Sequence, residues 1–122
     1  MSIDAVLQAA LRPLGLPVFP NKYTGPELTY LVTNWTMIPA LNAGDLAHAA
    51  RYLVQVHYYL PDKQNPHATL EAICRALVAA DFTCPGILGA DEANGSRDAH
   101  GQHWVIECEF ADGGYRYGKC DD

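Results

Sequence analysis

This chain reads as an α+β protein, with two amphipathic helices packed on a mainly antiparallel sheet of about four strands. Three observations carry that reading. Apolar residues recur at helical spacing near the N-terminus and again in the 70s. Residues 51–60 and 103–110 alternate as strands do. Proline, glycine and asparagine separate these segments. With 122 residues the chain is long enough for one domain and a core that needs neither a disulfide nor a metal to hold it.

Taken in order, Ile3, Val6, Leu7, Ala10, Leu11 and Leu14 form one stripe of a first helix, capped by Ser2, with Asp4 at the positive end of its dipole. Pro13 and Gly15 end it. Val18 and Phe19, between Pro17 and Pro20, make a short edge strand or an ordered loop, and "NKYTGP" follows as a turn. Residues 28–38 are a strand, with Leu31, Thr33, Trp35 and Met37 on one face and Tyr30, Val32, Asn34, Thr36 and Ile38 on the other. "NAGDLAHAA" connects it to the next strand, residues 51–60, which Pro61 ends. Asn65 and Pro66 start a second helix, whose buried stripe is Leu70, Ile73, Cys74, Leu77, Val78 and Phe82. A strand can begin within residues 82–88. Residues 86–102 then read as a long acidic, glycine-bearing loop, and the stretch from about 111 as a mobile tail.

Strands joined by short links should be antiparallel. If both helices cover one face of the sheet, the other stays open. Arg51, Leu53, Gln55, His57, Tyr59, His103, Val105, Glu107 and Glu109 share that open face. The set is too apolar for a purely solvated face and too charged for a core, which is the composition of a protein–protein interface. These nine residues are the candidate subunit or partner interface.

A net charge of −6 without a basic patch argues against gripping nucleic acid through its phosphates. No apolar run approaches the roughly 20 residues of a membrane span. The N-terminal stretch lacks the basic flank and cleavage site of a signal peptide, so synthesis and retention in a cytoplasm are expected. Cys74, Cys84, Cys108 and Cys120 show no CxxC spacing and read as free thiols, Cys74 and Cys108 as small core residues. His100 and His103 are spaced HxxH, but across a loop and a strand start, with no third ligand nearby. His57 can serve as a general base only beside a nucleophile, and no nucleophile motif is present. Glu107 and Glu109 pair with Arg51 or stay solvated. "GYRYG" reads as a tail that packs its tyrosines. No catalytic residue, cofactor or metal is expected.

The stretches "LPVFPNKYTGPE", "RYLVQVHYYLP" and "GQHWVIECEF", in that order around two short helices, resemble the small tail completion or tail terminator proteins of long-tailed bacteriophages. The resemblance covers most of residues 3–110 and carries no catalytic residues. It implies a single tail-terminator-like domain without enzymatic activity, a virion part assembled in the cytoplasm of the host bacterium. Such proteins form a six-subunit ring at the head-proximal end of the tail tube. Their partners are further copies of themselves, the tail tube protein and the head–tail connector. The genome passes through the lumen without specific binding, and no membrane is involved. The alternatives are a small binding or adaptor module, another minor tail protein, and a small enzyme using His57 with a cysteine or carboxylate.

Overall fold

The computed structural model describes residues 2–39, 50–83, 85–89 and 101–112. Helix α1 spans Ile3–Leu11 and runs into a 3-10 turn, Arg12–Leu14. Strands β1 (Val18–Pro20), β2 (Tyr30–Pro39) and β3 (Ala50–Pro61) follow. Helix α2 is His67–Ala79, and strands β4 (Gly86–Gly89) and β5 (Gly101–Asp112) close the order.

The helix ends follow local chemistry. The Ser2 hydroxyl accepts the N–H of Ala5 at 3.0 Å, as a capping serine does. Gly15 takes a left-handed conformation, φ 83°, and its N–H returns to the carbonyl of Arg12. At α2 the Asn65 side chain accepts the N–H of His67 at 2.9 Å, so Asn65 satisfies one of the first helical donors although Pro66 stands between it and the helix.

Among the described residues the strands form one sheet in the order β1-β2-β3-β5-β4. Pairing is antiparallel except for β1 with β2, which is parallel. The expectation of about four mainly antiparallel strands is therefore close: there are five, and the one parallel pairing is at the β1 edge. Strand β4, four exposed residues, begins within residues 82–88, where a strand can begin, and runs into the stretch expected as loop 86–102. Gly101 and Gln102 also belong to a strand, as do Ala111 and Asp112, where a tail is expected to start. The reason is pairing: β4 aligns with residues 104–107 of β5, and the ends of β5 follow β3 to Pro61 and Ala50. Such partners do not show in local alternation. The connection "NAGDLAHAA" as far as Ala49, the loop core 90–100, Cys84, and the tail beyond Asp112 with Cys120 lie outside the described residues.

Both helices pack on the same face. Ile3, Leu7 and Leu11 from α1 and Leu70, Ile73 and Leu77 from α2 meet Leu31, Val54, Val56, Tyr58, Leu60, Ile106 and Cys108 in one buried cluster, with Phe82 closing it. Each fully buried leucine or isoleucine there stabilises the fold by about 1.5–3 kcal/mol. Val78, expected in this stripe, is 45% exposed. It follows Leu77 by one residue and so falls about 100° round the helix, away from the sheet.

Candidate functional site

The register assigns side chains to the open face without ambiguity. His57 lies opposite Val32 on one side and Val105 on the other. Tyr59 lies between Tyr30 and His103, Gln55 between Asn34 and Glu107, and Leu53 between Thr36 and Glu109. Arg51 lies between Ile38 and Ala111, further along the same face from Gln55 and Glu107. All nine candidate residues therefore share one surface, as the alternation implies. Val105 is the least available of them: only 7% of it is exposed. Leu53 and Glu107 are exposed, and the others are half-buried.

Across this face runs a row of flat side chains. Phe19 stacks on Tyr23, with centroids 4.0 Å apart, and Tyr23 tilts against Tyr30 at 4.7 Å. Tyr30 stacks on Tyr59 at 4.8 Å, and Tyr59 on His103 at 4.3 Å. Because each ring sets its face against a neighbour, the row presents ring edges and polar rims outward. The row is rigid, since tyrosine has few side-chain torsions and here each is packed.

Tyr23 reaches the row from the loop at residues 21–29. Its hydroxyl accepts the N–H of Glu27 at 3.0 Å, and its ring lies over Gly25, where any Cβ would run into it. In the sequence this residue shows only as part of a turn. The signal available is an aromatic residue four positions after Phe19 inside an otherwise polar turn, and that spacing alone does not show on which face the ring lands.

His103 and His57 continue the row. His57 Nδ1 and His103 Nε2 are 2.8 Å apart while the ring centroids are 5.0 Å apart. The facing nitrogens thus lie between the centroids, and the rings meet edge to edge. The direction of this hydrogen bond follows from its neighbours. Glu107 can only accept, and it takes the Gln55 amide N–H at 2.9 Å. The Gln55 carbonyl is thereby turned to His57 Nε2, 3.3 Å away, which must carry a proton. His57 Nδ1 is left as an acceptor, and His103 Nε2 donates to it. The order Glu107–Gln55–His57–His103 fixes the tautomer of His57.

Burial first, and then the neighbouring His103, lower the pKa of His57 from 6.5 to about 4, against a smaller upward pull from Glu107. At neutral pH the ring is uncharged. Beside this chain of bonds lies a shallow depression of about 540 Å³, lined by Asn34, Thr36, Leu53, Gln55, Thr83, Glu107 and Glu109 among others.

The two cysteines among the described residues lie away from His57. Cys108 lies in register with Val54 and is buried on the helix-covered side. Burial, then Cys74 and Glu109, push its thiol up to about 12. Cys74, on α2, is raised as well, by burial and then Glu71. Both are free thiols without thiolate character. Among the described residues no three His, Cys, Asp or Glu side chains gather as a metal cluster, and His100 lies outside them. No helix among the described residues is long and apolar enough to cross a membrane.

A second exposed apolar area sits on the opposite side of the sheet. Trp35 and Met37 belong to the covered face but remain 39% and 48% exposed at one end of β2. The Trp35 indole N–H donates to Asp4 at 2.9 Å, which ties that end of the strand to the start of α1. No protein-family model matches the chain, and no curated protein matches it in sequence, so the site is read from its own residues.

Proposed function

We propose that this chain is a structural subunit of a bacteriophage tail. It assembles as a ring at the head-proximal end of the tail tube, ends tube polymerisation and docks the tail to the head connector. The observation that carries this reading is the open sheet face, a row of packed aromatic rings with exposed Leu53 and Glu107 further along the same face. A face of this kind offers pre-ordered anchors to another protein at little entropic cost.

Closing a ring head to tail requires two different patches on each subunit. The open face and the Trp35–Met37 end lie on opposite sides of the sheet, which suits that requirement. The role as terminator, the six-fold count and the virion location come from the resemblance to tail terminator proteins. A charge of −6 per subunit suits a lumen through which DNA slides, because acidic walls repel phosphates. No catalysis is required of such a part.

Complementation tests this function. A phage lacking the gene should give tubes of uncontrolled length or unjoined tails, and the wild-type chain should restore joined particles that contain it. Purified, infectious virions without the protein would end the tail reading. They would leave the adaptor alternative.

A further inference from the structure

We infer that His57 Nδ1 and His103 Nε2 together form a two-point binding site for a divalent transition-metal cation of the imidazole-preferring class: zinc, nickel or copper(II). The two nitrogens are 2.8 Å apart. Nitrogens that share one cation at bond lengths of about 2.0–2.1 Å stand about 2.9 Å apart at a right angle and about 3.4 Å apart in a tetrahedron. The spacing nearly matches the first value, and each ring turns by about 45° so that lone pairs now facing each other converge on one cation.

The surroundings have the form that metal-binding histidines need. A ligating imidazole is held by a hydrogen bond from its other nitrogen, which sets its tautomer and aim. His57 has that bond, to Gln55, and Gln55 is itself fixed by Glu107. His57 therefore keeps Nδ1 free of a proton and turned toward His103, beside the place a shared cation would occupy. His103 is held in plane by Tyr59, which stacks on it with an interplanar angle of 11°.

Binding replaces the hydrogen bond between the rings. The Nε2 proton of His103 moves through solvent to Nδ1 of the same ring, both facing nitrogens then offer lone pairs, and no net proton is released. Both rings are half-exposed on the open face, so water fills the remaining coordination positions in the unassembled chain. The cation is not required for folding, because the core lies on the other side of the sheet.

Calorimetric titration of the full chain with Ni²⁺ or Zn²⁺ at neutral pH tests this site. One cation per chain is expected. Affinity should fall at least tenfold in His57→Gln and in His103→Gln, and about tenfold in Gln55→Ala through loss of the outer hydrogen bond. A background carrying His100→Ala, Cys84→Ser and Cys120→Ser should bind as the parent does. In the NMR spectrum, paramagnetic Ni²⁺ should broaden the ring signals of these two histidines first. No binding overturns the proposal, as does binding that survives both histidine substitutions or disappears in the background variant. Should His57→Gln fail to fold, His103→Gln and the ring signals decide the question.

Discussion

His57 is half-buried between two nearly covered valines and kept neutral, and that has a consequence for stability. Its pKa is 6.5 when unperturbed and about 4 in the folded chain. Between those values the unfolded chain binds a proton that the folded chain excludes. The stabilisation is thus complete above pH 6.5 and is lost as the pH falls toward 4. Because the ring is only half-buried, the loss is on the order of 1–2 kcal/mol and not the full value of the shift. Urea unfolding between about pH 7.5 and pH 4 should show this slope in the wild type and a flatter one in His57→Gln. Parallel curves would assign the acid sensitivity to other groups. At the same scale, Gly25→Ala should displace Tyr23, since a Cβ there meets its ring. The expected sign is altered tyrosine fluorescence or near-UV dichroism with the core intact, and an unchanged spectrum would contradict the packing of Tyr23 over Gly25.

The helices show which elements can be read from residues alone. Ile73 and Val78 both look like members of one stripe, yet Ile73 is fully buried and Val78 is 45% exposed. Periodicity locates the stripe, but its width depends on how closely α2 lies against the sheet, which no local pattern records. Thermal or urea unfolding should separate the two residues: Ile73→Ala should cost about 2–5 kcal/mol and Val78→Ala well under about 1 kcal/mol. Equal costs would mean that α2 is rotated about its axis, with Val78 turned toward the sheet. Among the strands, the alternation of residues 51–60 makes the faces of β3 legible, and all nine candidate residues do share one surface. The register is not legible, because β3 and β5 are joined through a helix and a further strand and not through a tight turn whose type would set it. The contact of His57 with His103, and the bond from Gln55 to Glu107, depend on that register. For β4 only the place where a strand can begin is legible, because "GILG" is too short to alternate and gains its order from β5.

At the scale of the whole molecule, one side of the sheet is sealed by two helices and the other carries an ordered but uncovered row of rings. An exposed face of this composition is expected to be covered in the working state, and we take its partner to be a second copy of the chain. Leu53 is the residue best suited to probe this, since it is 37% exposed in the first half of β3 and contributes nothing to the buried cluster. The most direct measurement is the native mass of the purified protein beside that of Leu53→Asp, at matched concentration and with folding verified by circular dichroism. The expected result is a closed assembly of six copies for the wild type and a folded, smaller species for the variant. A wild-type protein that stays monomeric at high concentration, or a variant that assembles as the wild type does, would contradict the open face as the subunit interface.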